Sequence, residues 1–275
     1  MNIMTTASAI QPQRTRGTGR LATKKVAGRT RLDIFYQEGA AKIRMPESFD
    51  GRLEAVLINT SGGLTGGDRV NWQVDAGAGT HVTVTTQACE RVYKSSGGHA
   101  EVNSTLSVGA GATLHWLPQE TILFDQGALR RRLDVELAED ACFIGLEAVL
   151  LGRKAMGETV ASGQFRDRWR IRRAGQLIHA EELDLSGAID QRMASRATLA
   201  GHQAFATLLY CAPDGEAKLE RIRTLAQGQI AGASHWKDKL VVRIIASEGF
   251  ELRKILIPII SLLRNGDAPP KVWHL

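Results

Sequence analysis

The chain has 275 residues, 43% of them hydrophobic and 23% charged, with a net charge of +6 and a pI near 9.4. These are the proportions of a soluble globular protein with a substantial core, and the longest apolar stretch, Ile255–Leu263, carries Pro258 and is too short to span a bilayer. Three separated cysteines, Cys89, Cys142 and Cys211, exclude a disulfide framework or a zinc knuckle and, without a signal peptide, fit a cytoplasmic setting.

In chain order, Arg14, Arg16, Arg20, Lys24, Lys25, Arg29 and Arg31 all precede the first acidic residue, Asp33. An acid-free, glycine-bearing start of this kind reads as a disordered basic arm over residues 1–20, followed by one domain over 21–275. The apolar run Leu53–Ile58 then leads into Asn59-Thr-Ser-Gly-Gly-Leu-Thr-Gly-Gly-Asp68. Four glycines in six positions permit positive φ and close approach of the backbone. No Gly-Lys-Ser/Thr follows, and the pattern after Asp68 has period 2, so phosphate-loop and dinucleotide readings fail and a wide turn between strands remains.

From Leu32 to about Ile189 the pattern is β. Val82 and Val84 alternate with His81, Thr83 and Thr85, and Leu133, Val135 and Leu137 alternate with Arg132, Asp134 and Glu136. Turn signals at 76–79, 96–98 and 109–111 separate the runs, which predicts a mainly β body of many short strands in stacked or coiled sheets. No fixed-period repeat is visible. In the last third, Leu219, Ile222, Leu225, Ala226 and Ile230 recur at helical spacing, as do Leu252, Ile255, Leu256, Ile259 and Leu263. Two C-terminal helices packed on the sheets are expected, with Leu240–Ala246 as a strand between them and Pro258 kinking or breaking the second.

Several side chains carry possible chemistry. Glu147 lies inside the apolar run Cys142–Leu151, where an unpaired carboxylate costs several kcal/mol; it is either salt-bridged or aimed into a polar cavity that holds a proton or metal. Glu181 and Glu182 occupy a similar strand, and parity directs one of them inward. Arg166, Arg168, Arg170 and Arg172 share one strand face, opposite Phe165, Trp169 and Ile171, as a solvated stripe or as docking points for an acidic partner. The seven histidines form no metal-binding pair, and no nucleophile–base–oxyanion signature is present.

Five ordered blocks together resemble the urease accessory protein UreD (UreH) family. They are Ser61-Gly-Gly-Leu-Thr-Gly-Gly-Asp68, Thr86-Gln-Ala-Cys-Glu-Arg-Val-Tyr-Lys-Ser95, Leu114–Ile122, Leu151-Gly-Arg-Lys-Ala-Met-Gly-Glu158, and Gly232-Ala-Ser234 with Val242-Arg243. One departure is Pro270-Lys-Val-Trp273, where the family carries arginine in place of Lys271. The resemblance implies a cytoplasmic, non-catalytic scaffold with a β-helix-like fold decorated by helices. It implies binding to UreF, through it to the GTPase UreG, and to the urease apoprotein, and delivery of Ni²⁺ to the urease active site. No tightly bound cofactor is implied; Ni²⁺ would be transient, on a polar passage to which Asp68, Glu147 and Glu181 match as family acidic positions. The C-terminal helix residues Leu252, Ile255 and Ile259 are candidates for the UreF contact. A basic nucleic-acid-binding β protein and a hydrolase using Glu147 or Glu181 as general base are the alternatives.

Overall fold

A computed structural model of the chain describes residues 13–274. A hairpin of β1 (Arg16–Val26) and β2 (Arg29–Gly39) is followed by β3 (Ala41–Arg44), β4 (Leu53–Asn59), β5 (Arg69–Ala76) and β6 (His81–Thr86). Then come β7 (Glu90–Val92), β8 (Ala100–Val108), β9 (Thr113–Leu117), β10 (Thr121–Leu123), β11 (Ala128–Leu137) and β12 (Cys142–Leu151). The chain continues through β13 (Ser162–Arg173), β14 (Gln176–Ala188), the short helix α1 (Ile189–Met193), β15 (Ala204–Cys211), α2 (Gly215–Leu225), β16 (Ile230–Trp236), β17 (Lys239–Ala246) and α3 (Gly249–Leu263).

Two sheets result. The first has the order β14-β13-β11-β8-β5-β1-β2, the second β16-β17-β15-β12-β9-β6-β4-β3. From β4 to β13 the chain crosses between them, so that β5, β8, β11 and β13 lie parallel in one sheet and β4, β6, β9 and β12 parallel in the other. A third, narrow seam stacks Leu64, Val92, Leu123 and Leu151 from successive coils through β7, β10 and β12. The body is therefore a β-solenoid-like coil. Its register places Arg69, Glu101, Arg130 and Arg166 side by side at unequal sequence intervals, which is why no repeat period shows in the sequence.

Alternation along each strand sorts the side chains into layers. Phe143, Val149 and Leu151 of β12 join Leu133, Val135, Phe165, Trp169 and Ile171 in the core between the sheets. Ile144, Leu146 and Ala148 face the other way, into a second core with Leu208, Val242, Ile244 and the α3 residues Leu252, Leu256 and Ile259. Both faces of β12 are thus covered, which accounts for its continuous apolar run.

Three expectations are corrected. The fold does not begin at residue 21, because Arg16–Arg20 form the first half of β1. Gly17 and Gly19 are there for packing: a Cβ on Gly17 would lie 2.6 Å from the Ala41 nitrogen, and one on Gly19 2.4 Å from the Trp72 ring. The earlier part of the expected arm, residues 1–12, lies outside the described residues. Ile230 opens β16 and is not helical. Pro258 does not break α3, which runs from Gly249 to Leu263 with the proline on its exposed side.

Candidate functional site

Glu147 faces the inter-sheet core from the middle of β12, and the charge it meets comes from the opposite sheet. Arg131 and Asp167 are register partners on β11 and β13, and Arg131, Glu147 and Asp167 are 8%, 6% and 7% exposed. The Arg131 guanidinium donates to both Asp167 oxygens at 3.2 and 2.8 Å, and to the Thr121 hydroxyl at 3.0 Å. Its Nη1 lies 2.5 Å from Glu147 Oε2, as an ionic contact off the N–H direction. The Trp169 indole donates to Asp167 at 3.2 Å, and Trp116 makes a long contact of 3.5 Å with Glu147. Two carboxylates share one guanidinium, so the unit has one negative charge too many for a dry core. Burial, only partly offset by Arg131, pushes the Glu147 carboxyl up to about 7. Burial also opposes the charge on Arg131, but Asp167 and Glu147 outweigh it and keep the guanidinium protonated.

Of the alternatives for Glu147, the structure shows the salt bridge, made with Arg131. Across β12 the residue opposite Glu147 is Thr207 of β15, whose hydroxyl lies 3.4 Å from Glu181 Oε1. Glu181 is the inward member of its pair, with its side chain 14% exposed against 65% for Glu182. Arg243 holds it bidentately at 2.8 and 3.0 Å. Burial raises the Glu181 carboxyl, but His179 and Arg243 outweigh that and hold it below the usual range. It borders a cavity of about 330 Å³ with Leu183, Met193, Phe205, Thr207 and Arg243.

In the other direction, Thr121 pairs with Glu90 of β7. Asn59 donates to both Glu90 oxygens at 3.2 and 3.3 Å, and burial pushes this carboxyl up to about 7. Glu90 borders a second cavity, about 190 Å³, with Asn59, Gly62, Gly63 and Cys89. Hydrogen bonds and ion pairs, with the strand-register pairs Glu90/Thr121 and Glu147/Thr207 between them, thus align polar residues between the sheets from Glu90 through Thr121, Arg131, Asp167, Glu147 and Thr207 to Glu181, with a cavity beside each end. Asp68 stands beside rather than within this row. One of its oxygens accepts the Thr15 amide at 2.7 Å and the other the Thr65 amide at 2.8 Å, so it clamps the glycine loop and adds negative charge near Glu90.

The glycine loop is held by backbone geometry. Gly63 has φ of +145°, and a Cβ there would meet the Tyr93 ring at 2.4 Å and the Arg91 carbonyl at 2.8 Å. Gly63→Ala is expected to cost about 1–3 kcal/mol through backbone strain, read as a fall in the thermal midpoint; an unchanged midpoint would show that the loop gives way freely.

The arginine stripe does not offer free charge. Arg166 pairs with Asp184 at 2.9 Å, Arg168 with Asp134 at 3.2 Å, Arg170 with Glu182 at 2.7 Å and Arg172 with Glu136 at 3.7 Å. Acids on the neighbouring strands pair with each guanidinium, so the stripe is charge-balanced within the sheet. Leu252, Ile255 and Ile259 are likewise not surface contacts: they are 0%, 6% and 0% exposed, packed into the second core. What the helices leave open is Phe250, Leu225 and a groove of about 670 Å³ lined by Lys218, Arg221, Leu225, Pro258 and Leu262. At the tail the anchor is Trp273, whose indole donates to Thr85 Oγ1 at 3.2 Å and the Leu117 carbonyl at 3.3 Å, while Lys271 is exposed. The departure at Lys271 therefore falls at a solvent position.

Sequence reasoning missed Arg131, Asp167, Glu90 and the pair of buried Glu120 with half-buried Arg253, whose two contacts are both 2.7 Å. Arg131 has the parity of Leu129 and Leu133, and Asp167 that of Phe165 and Trp169, so strand alternation held the signal for both. Among the described residues, no group of three His, Cys, Asp or Glu side chains converges on a metal position. No helix in them is long and apolar enough to cross a membrane.

The sequence model of the UreD urease accessory protein family matches residues 15–274. A protein of Rhizobium leguminosarum bv. viciae named urease accessory protein UreD is 62% identical over 271 residues, covering 98% of this chain and 99% of its own length. Proteins of the same name from Agrobacterium fabrum and Chelativorans are 60% and 52% identical, covering 97% and 98% of this chain and 93% and 97% of their own lengths.

Proposed function

The chain belongs to the UreD family of urease accessory proteins, and on that premise we propose a non-catalytic scaffold that binds the urease apoprotein and UreF, through UreF the GTPase UreG, and helps deliver nickel to the urease active site. Its general place is in urease maturation. The observation that carries the finer reading is the row of polar residues between the sheets. Glu90, Glu147, Asp167 and Glu181 outnumber Arg131 and Arg243 along it, so it is net negative in a region that otherwise excludes charge. Carboxylates bind Ni²⁺ more weakly than imidazoles do, which suits a cargo that has to leave again. The cavities at Glu90 and Glu181 supply an entrance and an exit. The open groove between α2 and α3 is the face assigned to UreF.

The test is to make urease beside a Glu90→Gln/Glu147→Gln/Glu181→Gln variant and to measure nickel per active site together with the intact complex. Glu147→Gln leaves Arg131 paired with Asp167, and Glu181→Gln leaves a polar amide beside Arg243, a largely exposed side chain, and buried His179, so the fold is expected to hold. Nickel content and urease activity are expected to fall while the complex still assembles. Full loading in the triple variant would overturn the passage, and joint loss of assembly and loading would reduce the role to scaffolding.

A further inference from the structure

The positive charge of this protein is concentrated on the first three strands. Residues 13–44 hold nine Lys and Arg against Asp33 and Glu38, a net +7 where the whole chain carries +6, with Glu47 following at the groove beside them. The first sheet also ends here. Among the described residues β2 is the terminal strand, bonded to β1 on one side only. The Gly51 carbonyl accepts the Thr30 amide at 2.8 Å and covers the start of β2; from Arg31 to Glu38 every residue is exposed. The strand is apolar on both faces there: Leu32, Ile34, Phe35 and Tyr36 are 40–48% exposed. Beside it, a groove of about 520 Å³ runs between Arg29–Leu32 and Met45–Phe49, with Phe49 84% exposed.

A long apolar edge strand with an unpaired backbone is a template for another strand. The charge decides which one. A second copy would bring a second basic edge against the first, whereas an acidic segment would be attracted; Asp33, the acid nearest the middle of the edge, is already taken by Lys24 at 2.8 Å. We propose that an acidic, extended segment of the urease apoprotein adds to β2 as an eighth strand of the first sheet, with apolar side chains on Ile34, Phe35, Tyr36 and Phe49 and acids beside Arg20 and Arg31. This rests on the reading that the chain binds urease. The helix groove assigned to UreF lies outside the second sheet, so the two partners do not compete for one surface.

The experiment is amide hydrogen exchange on the full chain, free and with urease apoprotein, at low and high salt. Exchange over Arg31–Glu38 is expected to slow at least tenfold in the complex, as unpaired strand amides become bonded. Arg20→Glu/Arg31→Glu, both exposed positions, is expected to weaken urease binding about tenfold at low salt and to flatten its salt dependence, with Arg→Lys at both sites close to wild type. A urease complex without protection over 31–38 would overturn the strand addition and leave the maturation role standing. Protection by UreF, by the free chain at higher concentration, or by single-stranded RNA in place of urease would assign the edge to a different occupant and overturn it as well. Failure to form any urease complex would overturn both.

Discussion

Arg131→Met is expected to destabilise the protein by about 3–5 kcal/mol, the cost of leaving buried carboxylates without their cation. The change preserves side-chain volume, so the loss reports charge rather than a cavity. Glu147→Gln is the control, because Arg131 keeps its two contacts with Asp167 and the surplus negative charge disappears; little loss, or a gain, is expected. For a chain of this length each kcal/mol moves the thermal midpoint by roughly 2–4 °C, so the two variants should separate by about 10 °C. The deficit of Arg131→Met should also grow from pH 6 to pH 8, since protonation relieves an unpaired carboxylate at the lower value. Equal midpoints for the two variants would show that the three groups do not act as a unit.

Glu90→Gln is expected to stabilise the protein at pH 8 by about 1–3 kcal/mol and to leave it nearly unchanged at pH 5. Burial lifts the Glu90 carboxyl from 4.5 to about 7, against the opposing pull of Asn59 and the Arg91 amide, with Asp68 adding to the rise. Between those values the folded chain keeps a proton that the unfolded chain releases. Stability from this group is therefore intact below about pH 4.5 and falls as pH climbs towards 7. Glutamine has no such slope. The carboxyl borders a cavity and is not fully covered, which favours the lower part of the range. Denaturant unfolding of both proteins at the two pH values measures it, and a gap of equal size at pH 5 and 8 would remove Glu90 as the cause.

Much of the fold follows from parity along strands. The alternation in Leu129–Leu137 marks β11, and the two-sided apolar run marks β12 as a covered strand. The same logic picks out Glu147 and allows only one of Glu181 and Glu182 to face inward. What parity does not convey is register between strands far apart in sequence. The acids that neutralise the arginine stripe sit on β11 and β14, so the stripe looks free until Asp134, Glu136, Glu182 and Asp184 are set beside it. Periodicity likewise shows that Leu252, Ile255 and Ile259 share a face without showing that the second sheet already covers it. Glycine misleads in a third way: at Gly17 and Gly19 it permits tight packing, yet in composition it resembles a tail.

The coil also governs how this protein is made. Most strand partners lie one turn of the coil away, so each new rung pays for loop closure before its contacts exist, a topology that folds slowly. As the chain leaves the ribosome, β4 to β12 can be laid down in order, but the outer face of the second sheet, with Leu146, Ala206, Leu208, Val242 and Ile244, is not covered until α3 emerges at the very end. Until α3 is made, the outer face of β12, with Ile144, Leu146 and Ala148, stays uncovered beside the open strand edge, and exposed apolar surface and open edges drive aggregation of partly folded chains.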